Sequence, residues 1–92
     1  MKTIVAFEGV IKELRRLPHY IVRKLNKWAR DVERSGIEEI RKITGYHDEP
    51  LQGRRKGQRS IRLSKAYRAI YAESWEDNIK IISVEEVSKH EY

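Results

Sequence analysis

Between Pro18 and Ser35 apolar side chains return every three or four residues, at Ile21, Leu25, Trp28 and Val32, while Lys24, Lys27, Arg30 and Arg34 fall largely off that stripe. This is the period of an amphipathic helix, and Pro18 suits its first turn. Phe7, Val10, Ile11, Leu14 and Leu17 share the same spacing, so a first helix precedes it and the two read as a helical hairpin. Ahead of both, Thr3-Ile4-Val5-Ala6-Phe7 is β-branched and aromatic enough for a short strand. Ser35-Gly36-Ile37-Glu38 matches a capping box, which predicts a short third helix carrying Ile37, Ile40 and Ile43 and ending before Gly45. From Tyr46 to Gln58 no period is sustained, and Pro50, Gly53 and Gly57 mark a loop. The period then becomes two: Ile61 and Leu63 alternate with Ser60, Arg62 and Ser64. Ser64-Lys65-Ala66 turns the chain, and Tyr67–Ala72 and Ile79–Val87 supply two more strands around a polar turn at Trp75–Asn78. The predicted class is α+β, an N-terminal strand and helical hairpin packed on a small antiparallel sheet, in one domain spanning 1–92.

Composition narrows the class. Charged residues make up 37% of the chain and the net charge is +6, which favours polyanionic partners. So much charge also fits disorder, but the 39% hydrophobic fraction is arranged with clear periods, which a folded domain requires. Cysteine is absent, which excludes disulfides, thiolate metal sites and thiol nucleophiles and fits a reducing cytoplasm. The apolar stretch in MKTIVAFEGVIKEL is too short for a secretory signal, and no run is long enough to span a bilayer. The expectation is a soluble cytoplasmic protein with no membrane partner.

The charge is concentrated in GRRKGQRSIRLSKAYRAIY, residues 53–71, which holds Arg54, Arg55, Lys56, Arg59, Arg62, Lys65 and Arg68 and no carboxylate. Alternation on a strand puts Arg59, Ile61 and Leu63 on one side and Ser60, Arg62 and Ser64 on the other, with Arg68 as a cross-strand neighbour of Arg62. Any one of these cations is adequately explained as a solubilising charge on an exposed edge. Seven together are better explained by a phosphate-bearing ligand, which would relieve their repulsion. Five are arginine, whose planar fork grips phosphate bidentately.

Cleaving RNA requires a base for the 2′-hydroxyl proton, a cation for the phosphorane and an acid for the leaving 5′-oxygen. Glu49 lies just upstream of the basic stretch, with His47 two residues before it, and His90 and Tyr92 close the chain. An unperturbed histidine titrates near pH 6.5, so His90 is suited to acid or base work. His19 reads as a solvated residue, and His47 and Asp48 read equally well as loop residues making local hydrogen bonds. Trp28, Tyr67 and Tyr71 read as core. Three scattered histidines without cysteine do not resemble a zinc site. No Gly-rich phosphate loop, Ser-His-Asp set or carboxylate-rich metal site is present, so neither metal nor cofactor is expected.

The motifs Asp48-Glu49-Pro50-Leu51, Gly57-Gln58-Arg59-Ser60-Ile61-Arg62-Leu63, Tyr67-Arg68-Ala69-Ile70-Tyr71 and His90-Glu91-Tyr92, in that order, resemble the RelE/ParE superfamily of bacterial toxins from type II toxin–antitoxin systems. The RelE, HigB and YoeB branches look closest. The resemblance implies a metal-independent mRNA interferase that cuts messenger RNA in the ribosomal A site. It also implies a cognate antitoxin partner. On the matching positions Glu49 is the candidate base, Arg68 contacts the scissile phosphate, His90 is the general acid and Tyr92 orients the nucleotide. Arg54, Arg55, Lys56, Arg59, Arg62 and Lys65 would hold the RNA backbone. Two other readings remain open: a ParE-like DNA gyrase inhibitor with the same fold and no nuclease chemistry, and a non-enzymatic nucleic-acid-binding module.

Overall fold

The chain opens with strand β1 (Lys2–Ala6), turns through a short 3-10 segment at Glu8–Val10, and forms a single helical turn, α1 (Ile11–Leu14). Two helices follow, α2 (His19–Ser35) and α3 (Ile37–Arg41), and then an edge strand of two residues, β2 (Glu49–Pro50). The remainder is a meander of β3 (Gln58–Arg62), β4 (Tyr67–Glu76) and β5 (Ile79–Lys89). This is a computed structural model, and it describes residues 2–89. The five strands lie in the order β1-β5-β4-β3-β2. The expected α+β class holds, with one difference in the sheet: β1 runs parallel to β5, while every other pair is antiparallel. The intervening helices carry the chain from the β1 edge to β2 at the opposite edge, and the β3–β5 meander brings it back beside β1, the long connection that a parallel pairing demands.

Helix α2 forms as its pattern predicts. Pro18 stands one position before it and lends its carbonyl to the N–H groups of Ile21 and Val22. Ile21, Leu25, Trp28 and Val32 are fully buried against Ile61, Leu63, Ala69, Tyr71, Ile82 and Val84 of the sheet. The Trp28 and Tyr71 rings sit 5.4 Å apart at a tilt of 49°, within the range in which aromatic pairs attract.

The first arm of the hairpin is shorter than its spacing suggests, because α1 ends before Arg15 and its turn packs on β5. Phe7, Leu14 and Leu17 still reach the core, so the apolar period is met by turns rather than by a continuous helix. The capping box does not form. Ser35 is the last residue of α2, and Gly36, at φ +89°, donates its N–H to Val32 O at 2.8 Å and redirects the chain. That left-handed conformation is one glycine adopts at little cost, so the helix break depends on Gly36. The segment 46–58 is also more ordered than a loop, since it contains β2 and a 3-10 turn at Gly53–Arg55. Strand β4 runs through Trp75 to Glu76, which shortens the expected polar turn to Asp77-Asn78.

Trp28 is the keystone of the core and carries one defect: its buried Nε1–H has no hydrogen-bond partner. Trp28→Ala is expected to cost about 3–5 kcal/mol through loss of packing. Trp28→Phe is expected to cost only about 1–2 kcal/mol, because it also removes an unsatisfied donor. Urea unfolding of the three proteins checks the order.

Candidate functional site

The sheet divides the charged residues between two faces, and the division follows from register. Tyr71 pairs with Arg59 and Ala69 with Ile61, which aligns these four on the face covered by helices. Arg62 pairs with Arg68, Ser60 with Ile70 and Glu49 with Ser60, which aligns these on the opposite, open face. Glu49 and Arg62 are exposed, and Arg68 is partly so.

On the covered face a carboxylate is locked. Asp48 has a side chain only 1% exposed; it accepts the Tyr71 hydroxyl at 2.5 Å and Arg59 Nε at 2.6 Å. Arg41 Nε donates to the same Tyr71 oxygen at 3.3 Å, and its guanidinium pairs with Glu73. Lys80, itself buried, joins Glu73 to Glu38 on α3. These contacts tie the chain before β2, helix α3 and strands β3–β5 into one network. Burial would lower the pKa of Arg41, but its hydrogen bond to Tyr71 and the negative charge of Glu73 outweigh that and raise it above its ordinary value. Burial first, and then the bond to Asp48, push the Tyr71 phenol far above its ordinary value. Its hydrogen bond to Lys80 holds the Glu38 carboxyl below the usual range.

The consequence for the site is directional. With Asp48 pinned behind the sheet, the next residue, Glu49, is held on the two-residue edge strand opposite Ser60 and on the open face. His47, at φ +46°, is an exposed bend residue that makes the turn into this pin.

The open face gathers most of the basic residues named above. Arg62 and Arg68 stand side by side across the β3–β4 ladder, where like charges directly opposite are destabilising unless something neutralises them. Lys65 lies in the β3–β4 turn, and Arg54, Arg55 and Lys56 lie at the other end of β3. Arg59 is not part of this group, because it faces the helices and is consumed by Asp48. Among the described residues no ion pair involves Arg54, Lys56, Arg62, Lys65 or Arg68, so five of the seven cations stand without a carboxylate. His90 and Tyr92 lie outside the described residues.

Two acidic residues on this face escape a reading by sequence distance. Glu86 accepts Arg55 Nη2 at 2.8 Å, and Glu85 accepts Gln58 Nε2 at 2.7 Å. Their signal in the sequence is the break in alternation at Val84-Glu85-Glu86-Val87, two consecutive acids between two core valines.

The Tyr71 hydrogen bond gives a pH-dependent test. A phenol whose pKa is raised on folding stabilises the protein fully below the unfolded value, about pH 10, and that contribution is lost as pH rises beyond it. Tyr71→Phe is expected to lower stability near pH 8 by about 1–3 kcal/mol, since Asp48 loses a buried donor. The gap between wild type and variant should then narrow above pH 10 in urea titrations.

No protein-family model matches the chain, and no curated protein sequence matches it. Solved structures do. A YoeB/ParE toxin from Agrobacterium tumefaciens superposes with a TM-score of 0.68 at 22% identity, covering 99% of this chain and 100% of that one. The RelBE2 toxin–antitoxin complex from Mycobacterium tuberculosis gives 0.67 at 21%, covering 98% and 100%. YafQ from E. coli gives 0.65 at 16%, covering 97% and 94%. At these identities the likeness is one of architecture, and on that ground the chain has the fold of the RelE/YoeB-like toxins.

Proposed function

We propose that the protein is the toxin of a type II toxin–antitoxin module and acts as a metal-independent endoribonuclease on messenger RNA in the ribosomal A site. The observation that carries this reading is the cross-strand pair Arg62 and Arg68, two guanidinium groups opposed on an open face without a carboxylate partner among the described residues. A phosphate between them would offset their repulsion and receive a bidentate grip.

In the proposed chemistry Glu49 takes the proton of the 2′-hydroxyl, and the freed oxygen attacks the adjacent phosphorus. Arg68 and Arg62 stabilise the negative charge on the phosphorane. The bond from phosphorus to the 5′-oxygen then breaks, and His90 gives that oxygen a proton. The products are a 2′,3′-cyclic phosphate and a 5′-hydroxyl. Tyr92 orients the nucleotide, while Arg54, Lys56 and Lys65 hold the backbone on either side. Support for an antitoxin partner comes from structural neighbours solved as toxin–antitoxin complexes, RelBE2 among them. A basic open face of this kind is what such a partner would have to cover. Among the described residues no helix is long and apolar enough to cross a membrane.

The same fold in a gyrase inhibitor would have no use for Glu49 or His90, and this gives the decisive experiment. Protein is added to a translation reaction in vitro, mRNA ends are mapped by primer extension, and gyrase supercoiling is assayed in parallel. New ends at the A site are expected, reduced about a hundredfold or more by Arg68→Ala and by His90→Ala. Intact mRNA together with blocked supercoiling would overturn the nuclease reading.

A further inference from the structure

Strand β5 breaks register between its pairings to Ile70 and Tyr71: Ile70 faces Glu86 and Tyr71 faces Val84, so Glu85 is an extra residue. Val84 and Val87 both remain in the core. A bulge of this kind re-aims side chains, and here the adjacent acids Glu85 and Glu86 both bond residues from the far side of β4.

Each acid takes a partner from the β2–β3 connection and the start of β3. Gln58 lies opposite Ala72 on β4, and Ala72 lies opposite Ser83 on β5, so a bond from Gln58 to Glu85 crosses a whole strand. That span is about 9.5 Å at two inter-strand spacings. Alanine at position 72 leaves the room for it. Arg55 makes the same crossing to Glu86 and steadies itself on the way, its Nη1 donating to Gln58 Oε1 at 3.3 Å. Glu86, Arg55, Gln58 and Glu85 thus form a continuous clasp over β4.

The crossing changes which cations are neighbours. Arg68 faces Ser88 on β5, so Glu86 is its diagonal neighbour one strand away. Drawn to Glu86, the Arg55 guanidinium crosses β4 to the residue diagonal to Arg68 instead of remaining above the turn at the edge of the sheet. Two of its five N–H donors are used, by Gln58 and Glu86, which leaves three.

We propose that Glu86, set by the β5 bulge, is a positioning residue that swings Arg55 across the sheet to make a third phosphate-binding arginine beside Arg62 and Arg68. This rests on the reading of the open face as an RNA site. A simple counter-charge would act in the opposite sense: a carboxylate on an RNA-binding surface repels phosphate, so removing it should tighten binding. Positioning requires that removing it weaken binding.

The test is binding of a single-stranded RNA oligonucleotide to the full chain over a range of salt, for wild type, Glu86→Gln, Arg55→Ala and the double variant, with thermal unfolding to verify that each folds. Both single variants are expected to weaken binding about three- to tenfold and to flatten the dependence of log Kd on log salt by about 0.7, the value of one lost contact to a single strand. The double variant should bind as Arg55→Ala does, because Glu86 acts through Arg55. Tighter or unchanged binding by Glu86→Gln, or additive losses in the double variant, would overturn the positioning role and leave the RNA reading intact. A wild-type chain that does not bind RNA would overturn both.

Discussion

A carboxylate whose side chain is almost wholly buried, Asp48, ties the segment before β2 to the central strands of the sheet. Left alone behind the sheet, an ionised carboxyl would be strongly destabilising, so its partners are fixed in kind and in place. The Tyr71 hydroxyl and Arg59 Nε meet that demand from two neighbouring strands. Tyr71 is also a central core residue, with its ring against Trp28. The hydrophobic packing that sets α2 on the sheet therefore sets the hydroxyl, the hydroxyl sets Asp48, and Asp48 sets the direction in which Glu49 leaves. Core and site are coupled through one side chain.

Alternation does the rest. Because strand side chains have a period of two, a stretch rich in arginine is sorted without further information into residues that serve the interior and residues that serve the surface. Arg59 goes to the interior, while Arg62 and Arg68 go to the surface. The Arg62–Arg68 opposition is unfavourable in itself, and a protein tolerates such a pair on a sheet that is well fastened elsewhere. Here the fastening is the chain of hydrogen bonds and ion pairs from Arg59 through Asp48, Tyr71, Arg41, Glu73 and Lys80 to Glu38.

How much of this is legible in the sequence depends on the range of the interaction. The α2 stripe, the β3 alternation and the neighbouring of Arg62 with Arg68 across a short turn are local patterns, and all are found where the periods put them. Asp48 is separated from Arg59 by 11 positions and from Tyr71 by 23, so nothing local marks it as anything but a loop residue. The same distance effect makes the basic stretch look free of carboxylates when Asp48 and Glu86 are brought to it from outside. The capping box failed for a different reason: Gly36 adopts a left-handed conformation that ends α2 after Ser35, so the serine is spent as the last residue of one helix and cannot begin the next.

The edges of the sheet have their own chemistry. The Val5 N–H on β1 is taken by Glu33 Oε2 at 2.8 Å, a side chain reaching down from α2. At the opposite edge, β2 is two residues long and one of them, Pro50, has no N–H to give. A chain seeking to extend this sheet must first displace Glu33 on one side and finds almost no ladder on the other. Growth of one molecule's sheet onto another's is thus resisted at both margins, and a partner is steered toward reading side chains over the broad surface rather than borrowing backbone from the rim.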